Sequence, residues 1–359
     1  MLEIDGASGE GGGQIIRTTL SLSAILSQPV RLKNIRAKRK NSGLTAQHLT
    51  AVWAAAMICD AELTGDDLES TEITFVPQSP PIPGIYEFDV AKAREDGSAG
   101  ATTLVLQTVL LPLALATEPS SITIKGGTHV PWSPPFHYIK DVYLPTLADF
   151  GIQGSVELLA WGWYPAGQGE ISLHIAGWQT DKPRKPLIQE ESWFNRGALN
   201  QIRGIAVASS LPAHIAQRMR DRAVKLLEEA DLPTTIEPQR VRSTSPGAGI
   251  FLVADYGERS SRVGFSAIGK KGKPAEIVAE EAIEQALSFH RRGAVVDQHL
   301  ADQLILPLAL WGEPLKLSVE RLTQHILTNL WVVEQFLGPV AQVDYQKQVI
   351  QFKKRDTLR

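Results

Sequence analysis

The amino-acid sequence predicts an α/β (α+β) fold: three βαβαββ-type repeats form a main body, and a smaller α/β domain is inserted between the second and third repeats. A long apolar helix, a short polar break with proline and an alternating strand occur three times along the 359 residues. The repeat strands starting at Val30 and Ile122 are 92 residues apart, whereas Ile122 and Leu315 are 193 apart. The second interval therefore holds one repeat and about 100 further residues, an ordinary domain size.

The composition is typical of a soluble globular protein and excludes several classes. Hydrophobic residues make up 43% and charged residues 21%, and the formal net charge is −3, so a contact with nucleic acid has to come from a local basic patch. The longest apolar stretch, Leu104–Ala116, is shorter than the roughly 20 residues of a membrane span. The single cysteine, Cys59, fits a reducing compartment. We therefore expect a cytoplasmic enzyme that does not act at a membrane.

Each repeat is predicted to contain a helix, a strand, a second helix and a strand pair. The first helix ends at the polar break because proline and glycine terminate helices. In the third repeat, Ile326, Leu330, Val333 and Leu337 recur at helical spacing and form one apolar face. The predicted segments are Ile15–Leu26, Val30–Arg36, Leu44–Cys59 and Ala61–Pro77 in the first repeat; Thr102–Ala116, Ile122–Thr128, Phe136–Phe150 and Ile152–Ile175 in the second; and His299–Leu310, Leu315–Arg321, Ile326–Leu337 and Val340–Lys353 in the third.

The predicted domains are residues 1–183 for repeats one and two, 184–283 for the insert and 284–359 for the third repeat. The charged, proline-rich run Thr180–Pro186 marks the start of the insert. The run Gly264–Lys271 is close to a P-loop but lacks the hydroxyl residue that holds Mg²⁺, so we expect a strand and a basic turn there. The insert is further predicted to contain strands at Gly204–Leu211, Thr234–Pro238 and Ile250–Asp255 and a helix at Ile215–Ala230.

A glycine-rich segment, residues 9–13, lies between a strand-like start and the first predicted helix. Glycines let the backbone approach phosphate oxygens, and a helix N-terminus attracts anions. Glu10 within the segment would be a hard oxygen ligand for Mg²⁺. Gln14 and Arg17 share one face of the helix that follows. The alternative is a glycine-rich hairpin or bulge without a ligand.

Six of the ten residues in Arg31–Lys40 are cations. Arg36 and Arg39 lie where a repeat strand gives way to a loop, and binding sites collect on such loops. A nucleic-acid backbone or a triphosphate is the natural partner for this charge. The alternative is a solvated, charged edge strand.

Two further candidates lie near the end of the chain. His299, Asp302 and Gln303 form the polar face of a predicted helix, although an ordinary amphipathic helix gives the same pattern. His325 is predicted to lie on the loop before the last helix, where a neutral imidazole can act as a nucleophile. Its alternative role is that of a polar residue at a helix N-terminus.

These motifs together resemble the RNA 3′-terminal phosphate cyclase family, in its catalytic branch. The resemblance runs from residue 3 to about residue 353 and implies three βαβαββ repeats with a smaller domain inserted before the last. The segments that carry it are Gly9–Gln14 with Arg17, Ile35–Ala37 with Gln47–Leu49, Gly100–Gln107, Gly126–Thr128, Ala301–Leu304 and His325-x-x-Thr328-Asn329.

The resemblance implies an ATP-dependent reaction. His325 attacks the α-phosphate of ATP and forms a covalent histidine–AMP with release of diphosphate. AMP then passes to an RNA 3′-phosphate, and the neighbouring 2′-hydroxyl closes a 2′,3′-cyclic phosphate with release of AMP. Covalent catalysis divides one difficult step into easier ones.

By the same resemblance, Glu10 holds the divalent metal, Mg²⁺ or Mn²⁺, while arginines neutralise phosphates and glutamines position them. Relatives often carry tyrosine at the position of His299, and the smaller imidazole face predicts weaker nucleotide binding. The implied ATP-site and phosphate residues are Gln14, Arg17, Arg36, Arg39, Gln47, Gln107, Pro131, His299, Leu300, Ala301, Asp302 and Gln303.

Two other functions stay open at this stage. The family includes a non-catalytic scaffold branch in ribosomal-RNA processing, which lacks the histidine, so His325 favours the enzyme. An enolpyruvyl transferase is suggested by fold analogy alone. The physiological RNA, the role of the insert and the oligomeric state are not fixed by the sequence, and a homodimer is left open.

Overall fold

The computed structural model of the chain describes residues 1–178, 193–257 and 261–355. These residues form four small sheets with helices packed against them, which confirms the α/β (α+β) class. The assignment of these elements to repeats and an insert stays a prediction. None of the helices in the described part of the chain has the length and apolarity that crossing a membrane requires. A cytoplasmic location and a homodimer also stay predictions.

The first sheet has the strand order β1-β2-β4-β3, in which β1 and β2 are parallel and the other pairs antiparallel. Because β2 lies inside the sheet, the edge-strand alternative for Arg31–Lys40 is wrong. Arg31 and Lys33 pair with Glu3, and Arg31 also pairs with Glu72. The elements are β1 Leu2–Asp5, α1 Gly13–Leu26, β2 Val30–Lys33, α2 Ala46–Met57, β3 Glu62–Thr64 and β4 Ile73–Val76.

The second sheet has the order β5-β6-β8-β7, again with one parallel pair at β5 and β6. The continuous helix predicted for Phe136–Phe150 contains a π-helical section at Ile139–Tyr143. Pro145 has no N–H for an α-helical bond, which favours such a local widening. The elements are β5 Ile85–Asp89, a 3₁₀ turn Val90–Ala93, α3 Thr102–Ala114, β6 Ser120–Gly126, α4 Phe136–Tyr138, α5 Leu144–Ala148, β7 Gly154–Ala160 and β8 Gly169–Ile175.

The next sheet, ordered β10-β9-β11-β12, packs with two helices around a core of its own. Helix α7 contributes Val278, Ile283 and Phe289 to that core, so the predicted limit at 283/284 falls inside a helix. The limit at 183/184 lies outside the described residues. The elements are β9 Leu199–Ser209, α6 His214–Glu228, β10 Thr234–Val241, β11 Gly247–Tyr256, β12 Ser261–Ile268 and α7 Ala275–Arg292, so the strand predicted for Gly264–Lys271 is confirmed in β12.

The last sheet has three antiparallel strands in the order β13-β15-β14. An isolated parallel bridge joins Val296 to Val319 beside it. The elements are α8 Gln298–Trp311, β13 Leu315–Ser318, α9 Gln324–Leu337, β14 Ala341–Asp344 and β15 Val349–Phe352.

One hydrophobic core joins the first, second and last sheets. Leu20 of α1, Leu110 of α3, Ile305 of α8 and Val332 of α9 all belong to it and are almost fully buried. Burial of this apolar surface is the main force that holds these helices together. Helix α1 follows the glycine-rich loop, α8 carries Asp302 and α9 carries His325 near its start. The core therefore brings together residues more than 300 positions apart.

A cluster of aromatic and histidine rings connects the second sheet to the β9–β12 sheet. His129 is buried, and its Nε2 lies 3.0 Å from Nδ1 of His137. Phe251 of β11 stacks on His137 at 5.1 Å between ring centroids. Burial lowers the pKa of His137 to about 4 and lowers that of His129 well below its ordinary value. Both imidazoles are therefore neutral at pH 7.

We expect acid to destabilise the protein through His137. Its pKa is about 6.5 in the unfolded chain and about 4 in the folded one, so the unfolded chain binds the extra proton between these values. When the pH is lowered from 7 to 5, the free energy of unfolding of the wild type should fall by about 2 kcal/mol more than that of His137→Gln. Urea unfolding at both pH values measures the difference. The exposed His174→Gln serves as control, and an equal pH dependence of wild type and His137→Gln would contradict the assignment.

Candidate active site

His325 lies in the first turn of α9 and not on the preceding loop, which corrects the sequence interpretation. The side chain of Thr323 accepts a hydrogen bond from the backbone N–H of Ile326 at 3.2 Å. This cap starts the helix at Gln324, two residues before the predicted start at Ile326. The imidazole is thereby held on a helix end and is about half exposed.

A series of hydrogen bonds between side chains orients the His325 ring. The Gln14 amide nitrogen donates to Oδ1 of Asp302, so its oxygen faces Nδ1 of His325. The second carboxylate oxygen of Asp302 is 3.9 Å from the same Nδ1. An amide oxygen only accepts, so this contact places a proton on Nδ1.

Glu10 faces the other ring nitrogen. Its Oε2 is 3.0 Å from Nε2 of His325, and its Oε1 is 2.5 Å from Nη2 of Arg39. The backbone N–H of Glu10 donates to Oγ1 of Thr328 at 3.1 Å. Gly9, just before it, has a φ of +52°, and a Cβ there would lie 2.2 Å from Thr328 Oγ1. The glycine at this position therefore permits the close approach of loop and helix.

Thr328 and Asn329 position the site, a role that the sequence analysis did not assign. Asn329 donates to the backbone carbonyl of Asp302 at 2.8 Å and accepts from the Thr18 hydroxyl at 2.7 Å. Both residues lie three and four positions after His325 on one face of α9. That spacing is the sequence signal that could have identified them, because polar residues on the same helix face as a candidate nucleophile can hold the nucleophile in position.

His48 fills the space beneath the start of α1. It is buried, and burial together with the nearby Arg17 and Arg36 lowers its pKa well below the ordinary value. Burial also lowers the pKa of Arg17 to about 10, which leaves the guanidinium charged at neutral pH. A Cβ on Gly13 would lie 2.1 Å from Nε2 of His48.

Gly13→Ala is expected to destabilise the protein by about 1–3 kcal/mol, because the buried His48 ring has to move. The neighbouring Gly12→Ala is the matched control, since a Cβ there meets only the end of the Arg39 side chain, at 3.1 Å. Urea unfolding of both variants measures the difference. Equal stability of the two variants would show that the His48 ring can move aside without an energetic cost.

A cavity of about 640 Å³ opens beside His325. Burial raises the pKa of Asp302 on its wall, while Gln14, His325 and Arg17 oppose that shift. Across the cavity, Gln107 donates to Gln303 at 2.9 Å. The candidate residues that line the cavity are Arg17, Gln107, His299, Asp302, Gln303 and His325.

Other candidates lie apart from the cavity lining. Leu300 and Ala301 are buried in the core face of α8, whereas Pro131 is exposed. Arg36 donates to the backbone carbonyl of Gly43 at 2.8 Å. Gln47 accepts from the backbone N–H of Ala101 at 3.0 Å. Arg36 and Gln47 therefore brace the loops around the site.

Glu10 is a suitable ligand for a metal that arrives with a nucleotide. Within residues 1–178, 193–257 and 261–355, no group of three or more His, Cys, Asp or Glu side chains could hold a metal alone. Mg²⁺ commonly binds one or two carboxylates and completes its shell with phosphates and water. The single Glu10 carboxylate, beside a glycine-rich loop and Arg39, fits that mode.

Comparison with known proteins identifies the family of the chain. The family model described as RNA 3′-terminal phosphate cyclase matches residues 8–343. A protein of Gloeothece citriformis with that name is 52% identical over 344 residues, covering 96% of this chain and 95% of its own. Identically named proteins of Methylococcus capsulatus and Pyrococcus furiosus are 50% and 41% identical over 344 residues, covering 96% of this chain and 92% and 95% of theirs. The chain belongs to the RNA 3′-terminal phosphate cyclase family.

Proposed function

We propose that this protein uses ATP to convert the 3′-terminal phosphate of an RNA into a 2′,3′-cyclic phosphodiester, through a covalent adenylate on His325. The observation that carries the proposal is the orientation of His325 by Gln14 and Asp302 at the wall of a large cavity. Membership of the cyclase family supports the reaction class.

The orientation of the ring supports Nε2 as the attacking atom. Gln14 keeps the proton on Nδ1, so Nε2 carries the lone pair that attacks the α-phosphate of ATP. The Nε2–P bond forms as the bond from the α-phosphorus to the bridging oxygen breaks, and diphosphate leaves. When the imidazole is protonated, Nε2 donates to Glu10, so attack requires loss of that proton.

Cations and backbone donors offset the charge of the triphosphate. Arg17 lies on the cavity wall, and Arg39 lies against Glu10 at the glycine-rich loop. The start of α1 adds unpaired backbone N–H groups. A divalent cation held by Glu10, Mg²⁺ or Mn²⁺, would supply further neutralisation of phosphate charge. These groups lower the repulsion between the phosphate oxygens and the nucleophile.

AMP is then transferred from the histidine to the RNA 3′-phosphate. A 3′-phosphate oxygen attacks the histidine-bound AMP, which forms a P–O–P bond and frees the imidazole. The 2′-hydroxyl of the same nucleotide attacks the activated 3′-phosphate, loses its proton and expels AMP. Adenylation is needed because a free phosphate oxygen is a poor leaving group, whereas AMP leaves readily.

An RNA that ends in a 3′-phosphate tests the proposal. With ATP and Mg²⁺, the end should become resistant to phosphatase, and one AMP and one diphosphate should be released per end. A terminal 2′-deoxynucleotide is the matched control: it can be adenylated but not cyclised, so diphosphate should be released without AMP. Absence of both a resistant end and a protein adenylate would favour the non-catalytic scaffold.

A further inference from the structure

Trp132 is exposed to an extent unusual for its residue type. It has 97% of its surface open to solvent, whereas the other seven of the eight tryptophans are buried or partly buried. The indole is the largest aromatic side-chain group in proteins, and an indole left in water contributes no favourable free energy of burial. An exposed aromatic ring of this kind indicates a ligand or partner.

The loop holds Trp132 in place. Its backbone has a φ of +60°, the left-handed region that bulky residues rarely adopt. The Thr103 hydroxyl donates to the carbonyl of Pro134 at 2.7 Å, and Ser133 donates to the carbonyl of Val130 at 3.0 Å. Three prolines, at 131, 134 and 135, further restrict this loop. The indole is therefore presented on a braced loop.

Trp132 also lines the cavity that contains His325 and Arg17. Its near-complete exposure places it at the mouth of that cavity and not within the enclosed part. A mononucleotide that enters the cavity can be surrounded by its walls. An RNA whose 3′-phosphate reaches His325 has to extend out of the cavity, whose lining includes Trp132.

We propose that Trp132 is a stacking platform for a nucleobase at the 3′ end of the RNA substrate. The proposal rests on the proposed function and adds the residue that holds the strand. Proteins recognise single-stranded RNA by stacking unpaired bases on aromatic side chains, and this contact tolerates different sequences because every base has a flat face. Trp132 is then a positioning residue that sets the affinity for RNA.

The test compares the wild type with Trp132→Ala and Trp132→Phe. We expect Trp132→Ala to raise the KM for a 3′-phosphorylated oligoribonucleotide by about 10-fold to 100-fold. The rate of protein adenylation by ATP without RNA should stay unchanged. Trp132→Phe should recover most of the affinity, because phenylalanine retains an aromatic face.

Abasic substrates identify the contact. If Trp132 stacks on a base, an RNA with an abasic nucleotide at one of its last two positions should bind the wild type as weakly as the intact RNA binds Trp132→Ala. The affinity for that abasic RNA should not fall further in Trp132→Ala. Additive losses at both positions would overturn the proposal, because additivity shows that tryptophan and base do not interact.

Other outcomes also decide the matter. A higher KM for ATP and slower adenylation in Trp132→Ala would assign the ring to adenine and overturn an RNA role. An unchanged KM for RNA would overturn it as well. If the wild type forms no adenylate and no cyclic end, the proposed function fails, and fluorescence anisotropy of labelled RNA then tests stacking alone. Equal binding by wild type and Trp132→Ala would overturn the platform, and weaker binding by the variant would support it.

Discussion

His325→Ala should abolish cyclisation, with a rate at least about 10³-fold below that of the wild type. The variant lacks Nε2 of His325, the atom proposed to receive AMP, so the first chemical step is lost and not merely slowed. Gln14 and Asp302 would remain in place, since Asn329 and the Thr18 hydroxyl hold that side of the site independently. Phosphatase resistance of the RNA end measures the effect.

The matched control is His174→Ala, which removes an exposed imidazole from β8. We expect wild-type cyclisation from it. His325→Asn should be as inactive as His325→Ala, because an amide keeps a polar contact to Gln14 but cannot be adenylated. Substantial activity in either His325 variant would remove the nucleophile from this account.

Glu10→Ala should reduce adenylation by about 10²-fold or more, with the fold intact. It removes a carboxylate that faces Nε2 of His325 at 3.0 Å and that is paired with Arg39. The loss should be greatest at low Mg²⁺, because the variant has lost the oxygen ligand proposed for the cation. Titration of adenylation against Mg²⁺ and Mn²⁺ measures it.

Glu10→Gln separates the metal role from the contact with His325. The amide keeps the shape but is a weak metal ligand, so it should resemble Glu10→Ala. Glu95→Ala, at an exposed position, is the control and should behave as the wild type. A Glu10→Ala protein with unchanged metal dependence would exclude Glu10 as the ligand.

Local patterns predicted most of the helices and strands. The apolar face of Ile326 and Val333 and the proline-containing breaks are local signals, and α9 and α8 follow them closely. The elements that the sequence did not predict have local or tertiary causes. Strand β5 is short and alternates weakly, with Ile85 exposed at 91%. Helix α7 faces a core that periodicity alone does not reveal.

The candidate site divides in the same way. The glycine-rich segment and His325 could be found from sequence because each is a local motif. The contact of Gln14 with both Asp302 and His325 could not, because it joins residues 288 and 311 positions apart. Thr328 and His48 were recognised within motifs but given no role, since their partners, Glu10 and Gly13, lie on different segments. Trp132 gave no periodic signal, and its exposure is a property of the fold.

The most direct measurement is to incubate the protein with ATP and Mg²⁺, without RNA, and to locate any bound AMP by mass spectrometry of the peptides. The account predicts one AMP per chain, attached to His325, released by acid and absent from His325→Ala. AMP on another residue, or its persistence in His325→Ala, would contradict the claim that His325 is the nucleophile.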